Sequence, residues 1–170
     1  MMAPTHALTG IAAYLALAQA FPQVLAVNAV TIAAATLGSV APDIDEPRSW
    51  IGKRLMFLSV PLLFIARHRG FTHSLLAAAL GSVGVFWLFH PQYGLTWVLA
   101  FFVGFVAHLF GDWNTNSGVP LLWPCEKRYR APWAFATGGF FETIFLLVLS
   151  VLIFLAGKQW AADFLRDFKI

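Results

Sequence analysis

Apolar residues fall in long runs separated by short polar or proline-marked breaks. Five runs stand out, over about residues 6–21, 24–41, 71–89, 95–113 and 139–157. Phe21-Pro22-Gln23 closes the first, Pro42 the second, and His90-Pro91-Gln92-Tyr93-Gly94 separates the third from the fourth. Proline cannot continue a helix interior, and Pro/Gly clusters mark turns. A hydrocarbon layer roughly 30 Å thick takes about 20 apolar residues in a helix. Each run is near that length, the first two at its short end. A sixth run, from Leu55 to Ala66, has only twelve residues and holds Pro61, which suits a re-entrant or interfacial segment better than a span. The pattern predicts an all-α fold: a polytopic transmembrane helical bundle of about four to five spans, with one short re-entrant or interfacial segment. No internal repeat or low-complexity linker divides the chain, so residues 1–170 are read as one domain.

Composition strengthens the membrane reading. Hydrophobic residues make up 59% of the chain and charged residues 11%, against about 25% charged in a soluble domain. Membrane lipid is the expected surrounding. The single cysteine, Cys125, excludes an internal disulfide and a Cys-based metal site. The net charge of +3 reflects basic loops, and no interleaved basic and aromatic tract of the kind that binds single strands occurs, so no nucleic-acid partner is expected. Ala18-Gln19-Ala20 has the form of a signal-peptide cleavage site, but no Lys or Arg precedes the apolar run; a signal peptide requires a positive start, and the segment is expected to be retained.

Charge placement gives the bundle a direction. The loop from Asp43 to Gly70 carries Arg48, Lys53, Arg54, Arg67 and Arg69, and the loop from Asn114 to Gly138 carries Lys127, Arg128 and Arg130. The connections at 21–23 and 90–94 carry neither Lys nor Arg. With five spans, both basic loops and the N-terminus share one side, which the positive-inside rule makes cytoplasmic. In a four-span version the first segment lies in the interface.

The same side collects the chemistry. His6 starts span one, Asp43 and Asp45 follow span two, His68 and His73 bracket the start of span three, His108 and Asp112 end span four, and Glu142 starts span five. Of the five His, only His90 lies at the other end. Ionisable groups at membrane depth cost about 2.5–3.5 kcal/mol on insertion scales and usually mark function. Singly, each has a plainer explanation: an interfacial His–Asp pair at 108 and 112, a solvated loop start at 43–45, a lipid-headgroup anchor at 67–73, an N-cap at Thr5-His6, a helix-dipole carboxylate at Glu142. Their coincidence at one face points to a shared metal site. His108 and Asp112 are four apart on a helix and share a face. Imidazoles and carboxylates without thiolate suit Zn²⁺, with Mn²⁺ and Fe²⁺ as competitors, and more than four ligands suggest two ions. Arg67, Arg69, Lys53 and Arg54 are candidates for holding a substrate phosphate.

These motifs resemble a known family. Thr5-His6 with Gly10, Pro42-Asp43-Ile44-Asp45, His68-Arg69-Gly70-Phe71-Thr72-His73-Ser74, His108-x-x-x-Asp112 and Ser117-Gly118-Val119-Pro120-Leu121-Leu122-Trp123-Pro124 look like the YdjM family, LexA-regulated inner-membrane proteins described as metal-dependent hydrolases. The match runs from residue 5 to about 142. More distantly, the order His, Asp, His, His-x-x-x-Asp is similar to that of bacterial zinc-dependent phospholipase C and related single-strand nucleases. That resemblance implies ligands at His6, Asp43, His68 or His73, His108 and Asp112, with Asp112 bridging two zincs. The chain departs from it in two ways. The N-terminal amine is a ligand there, whereas five residues precede His6 here, and no His follows His108 to complete a third zinc site.

The resulting expectation is a membrane-bound, metal-dependent hydrolase. It cleaves a phosphoester such as a phospholipid at the cytoplasmic face of the bacterial inner membrane, by a metal-activated water. His6, Asp43, His73, His108 and Asp112 lead as ligands, with Asp45 and His68 as further candidates. Asp112, His73 and Glu142 are the candidates for a direct part in catalysis. Two other classes use the same residues differently: a divalent-ion or proton transporter, and a non-catalytic partner-binding membrane protein.

Overall fold

The first apolar run becomes helix α1, Ala3–Ala20, with Pro4 in its first turn, where a missing N–H is harmless. The computed structural model describes residues 1–66 and 70–167, so Arg67, His68 and Arg69 lie outside the described residues. The second run forms a shorter helix than its apolar length suggested. Expected over about 24–41, α2 covers only Ala29–Val40. Asn28 sets its start. The Asn28 side chain accepts from the N–H groups of Val30 and Thr31 at 3.0 Å each, and the Thr31 hydroxyl accepts from the Asn28 N–H at 3.1 Å. This reciprocal cap satisfies the helix's open donors. The 12 residues of α2 rise about 18 Å, less than a bilayer's hydrocarbon thickness. Pro42 then tightens the chain into a 3₁₀ turn, Ala41–Asp45, which carries both aspartates.

The short sixth run forms α3, Met56–Ala66, around Pro61. Its Phe57 and Phe64 are 72% and 80% exposed. A second 3₁₀ turn, Phe71–His73, leads to Ser74, whose hydroxyl accepts from the Ala77 N–H and caps α4. Helix α4, Leu75–Trp113, is two arms joined at Gly94, where φ is 73°, a backbone state glycine adopts readily. The expected 90–94 turn is thus realised at its last residue. The arms fold back on each other: Gly81 lies against the rings of Phe101 and Phe105, and Phe89 and Trp97 are 5.2 Å apart. Helix α5 covers Phe140–Asp167, beyond its expected end near 157. Two stretches, Gly94–Trp113 and Phe140–Lys158, are long and apolar enough to cross a membrane, and Leu75–Phe89 is a shorter apolar stretch. The fold is all-helical. Among the described residues there is no strand, only isolated bridges pairing Thr115 with Phe135 and Val119 with Tyr129 in the loop between α4 and α5.

Helix α2 meets α1 and the second arm of α4 backbone to backbone. A Cβ on Gly38 would fall 2.0 Å from the Phe101 carbonyl oxygen, and one on Gly104 would fall 2.0 Å from that of Ala35. A Cβ on Gly10 would fall 2.6 Å from the Ser39 Cβ. Small residues permit this approach where water does not drive helices together. Tyr14, Ala34, Ala35, Ala78, Ala100 and Leu109 fill the interior. The contact also fixes a register: Ser39, next to Gly38, comes level with His108, one turn beyond Gly104.

Candidate metal centre

The ends of α1 and α4 and both 3₁₀ turns deliver their ionisable residues to one place. His6 comes from α1, Asp43 and Asp45 from the first turn, His73 from the second, and His108 and Asp112 from the last turns of α4. All are buried except Asp43, whose side chain is 18% exposed. His73 Nε2 lies 3.5 Å from Asp43 Oδ1 and 3.7 Å from Asp112 Oδ2. His108 Nε2 lies 3.8 Å and 3.9 Å from the same two oxygens. Each of the two nitrogens thus faces both carboxylate oxygens, and the four atoms ring a common space, here called the cage. The other Asp112 oxygen, Oδ1, is 3.4 Å from His6 Nε2 and accepts from the Met1 amine at 2.6 Å. His6 stacks on His108 with ring centroids 3.7 Å apart. Gly111 makes room for it, since a Cβ there would meet the His6 ring at 3.2 Å.

Groups behind the imidazoles aim them. His108 Nδ1 is 2.7 Å from the Ser39 carbonyl oxygen, which can only accept. Nδ1 therefore carries the proton, and Nε2 is left with its lone pair toward the cage. His73 Nδ1 is 3.0 Å from the Thr72 hydroxyl, which donates to Asp45 Oδ2 at 2.5 Å. Asp45 itself is 3.7 Å from His73 Nδ1. It stands on the side of His73 away from the cage, so its place is behind a ligand and not among the four donors.

The residues fit a divalent ion. Two ligand atoms about 2.0–2.1 Å from one tetrahedral ion are roughly 3.4 Å apart. The four cage edges, 3.5 to 3.9 Å, exceed the ordinary hydrogen-bond range and lie close to that spacing. His108 Nε2 and His6 Nδ1 are buried without a hydrogen-bond partner among the described residues, a costly state unless a ligand satisfies them. Even with the Met1 amine against Asp112, two carboxylates among neutral imidazoles leave a negative charge, which a cation offsets. Two overlapping donor sets meet the spacing an ion needs, His6 with Asp43 and His108, and His73 with His108 and Asp112.

The other expected site residues are placed differently. Glu142 is buried at the start of α5, but its oxygens accept from the N–H groups of Met2 at 2.6 Å and Gly138 at 2.7 Å. It ties the N-terminal segment to the loop before α5. Lys53 and Arg54 are exposed on the loop before α3. The Arg54 guanidinium lies 3.9 Å over the Trp50 ring and donates to the Trp50 carbonyl oxygen. Arg67, Arg69 and His68 lie outside the described residues, and of the two histidines left open by sequence, His73 is the one seen in the cage. Roles that sequence reasoning did not assign belong to Ser39, Thr72 and Gly111. The last two stand inside the motifs already singled out, next to ligands, and that adjacency was the available signal.

The family model described as YdjM inner membrane protein matches residues 1–165. The inner membrane protein YdjM of Escherichia coli K12 is 39% identical over 107 residues, 59% of this chain and 53% of that protein; the match spans about half the length of that relative. YvsG of Bacillus subtilis, an uncharacterized protein, is 31% identical over 157 residues, covering 89% of this chain and 91% of its own. No solved structure matches. With that family match over nearly the whole chain, the chain belongs to the YdjM inner membrane protein family.

Proposed function

We propose that the chain is a membrane-embedded, metal-dependent hydrolase that cleaves a phosphoester of a membrane lipid at the cytoplasmic face. The observation that supports this most is the buried donor set of His73, His108 and Asp112, with an inward-facing Nε2 lone pair on His108, which leaves the fourth position of a tetrahedral ion open to water. His6, with Asp43 and His108, forms a second, overlapping donor set beside it. Zn²⁺ suits the donors best, with Mn²⁺ and Fe²⁺ as competitors. Such an ion supplies Lewis acidity, polarising a phosphoryl oxygen and lowering the pKa of a coordinated water to about 7. The protein's part is to hold the donors rigidly, with Ser39, Thr72 and Asp45 behind them.

In this reading Gly94–Trp113 and Phe140–Lys158 cross the membrane and the cage lies at headgroup level. Supporting it are the outward apolar side chains, such as Trp87 and Phe154, 76% and 65% exposed. The loops beside the cage elements carry Lys53, Arg54, Lys127, Arg128 and Arg130 together with the partly exposed Trp50, Trp123 and Trp133, which suit a cytoplasmic headgroup layer. The test is a hydrolysis panel on detergent-purified protein, covering diacyl phospholipids and soluble phosphomonoesters and phosphodiesters. Turnover is expected to disappear with chelator, return with Zn²⁺ or Mn²⁺, and be lost in Asp112→Ala. Metal-loaded wild type inert on the whole panel contradicts the reading.

A further inference from the structure

An apolar groove of about 540 Å³ runs between α1, the second arm of α4 and α5, within the roughly 300–1,000 Å³ usual for ligand sites. Ala12, Ala13, Phe102, Ala107, Phe145 and Leu149 are among its lining residues. The Thr9 hydroxyl at one end donates to the Thr5 carbonyl at 2.7 Å, so the groove offers an occupant no free polar group and its filling must be apolar. It also abuts the cage. Ala107 precedes His108 in the chain, Phe110 lies between His108 and Asp112, and Thr9 follows His6 by less than one helical turn.

The two stretches able to cross a membrane, Gly94–Trp113 and Phe140–Lys158, contribute its α4 and α5 sides. In an inner-membrane family the groove is therefore continuous with the surface that faces lipid tails. We propose that it seats one acyl chain of a diacyl phospholipid and so brings that lipid's headgroup to the cage. The headgroup half rests on the proposed function, whereas the seat rests on the groove. A second apolar groove, between α2 and the arms of α4, is lined by Val30, Leu37, Val85 and Trp97 and touches neither α1 nor α5; it serves as a reference surface.

The experiment is photo-crosslinking of the full chain in vesicles of phosphatidylethanolamine and phosphatidylglycerol, with a trace of phosphatidylglycerol bearing a diazirine on one acyl chain. Adducts are mapped by mass spectrometry. They are expected to concentrate on Ala13, Phe102 and Phe145 over the reference groove and over Leu152 and Leu155 on α5. Ala13→Phe, or the milder Ala12→Leu if that variant misfolds, is expected to lower them severalfold, while Leu152→Phe leaves them unchanged. Even labelling around the bundle, or labelling that ignores groove filling, overturns the proposal. The hydrolysis panel separates this outcome from failure of the enzyme reading. Groove filling should remove turnover of long-chain lipid while sparing soluble phosphoesters and metal content. Concentrated adducts on a protein that hydrolyses nothing would sink the enzyme reading and keep the seat. Turnover with even labelling would do the reverse.

Discussion

His108 uses its two ring nitrogens for different work: Nδ1 is held by the Ser39 carbonyl at 2.7 Å, and Nε2 faces two carboxylates. His73 repeats the scheme with Thr72 and Asp45 behind it. If those groups orient a ligand, Thr72→Val and Asp45→Asn should each weaken metal binding by about 10- to 100-fold without abolishing it, read by competition against a chelator of known affinity. Glu142→Gln should keep the metal and lose stability. It puts an amide N–H₂ where the carboxylate accepted from Gly138 or Met2, a loss of about 1–3 kcal/mol for a buried unpaired donor, measured by chemical denaturation. A variant that lost metal but not stability would restore Glu142 to the site. The pairing of the candidate donors His108 and Asp112 was legible in the sequence because His108-x-x-x-Asp112 fixes a shared helix face. The split between Asp43 and Asp45 was not. In a 3₁₀ turn, with three residues per turn, side chains two apart point in widely different directions, so one reaches the cage and the other passes behind His73.

At the scale of elements, the glycine contacts between α1, α2 and α4 hold the site in register. Gly104→Ala or Gly38→Ala drives a methyl into a backbone oxygen, with Cβ positions 2.0 Å from Ala35 and Phe101 oxygens, and should cost about 1–3 kcal/mol by overpacking. Gly84→Ala meets nothing within 4 Å and should be neutral or gain about 0.5–1 kcal/mol. Thermal midpoints in detergent compare the three, and equal midpoints would remove the close-packing account. Apolar runs located the helices, including the break at Gly94, because hydropathy and turn residues agree there. They overestimated α2, because Val24, Leu25 and Val27 are apolar yet precede the Asn28 cap, and hydropathy sums residues without reading where the backbone's donors are satisfied.

For the whole molecule, the asymmetry of charge matters most. The two basic loops adjoin the elements that build the cage, Lys158 and Arg166 lie toward the far end of α5, and many apolar side chains are exposed. Cys125, the chain's single cysteine, is exposed in the loop before α5. If that loop is cytoplasmic, a membrane-impermeant maleimide should label Cys125 in inverted inner-membrane vesicles and spare it in intact spheroplasts; the opposite pattern would reverse the orientation. Loop charges predict an orientation that this labelling tests, whereas the convergence of five candidate donors from four separate segments depends on helix packing that periodicity does not encode.

The central claim is that this convergence binds a divalent ion. Its most direct test is elemental analysis of detergent-purified wild type, His108→Ala and Asp112→Ala after equilibration with buffered Zn²⁺, with circular dichroism reporting helicity. The account predicts stoichiometric metal in wild type and its loss in both variants at unchanged helicity. Folded wild type that takes up no metal, or variants that keep a full complement, would contradict it.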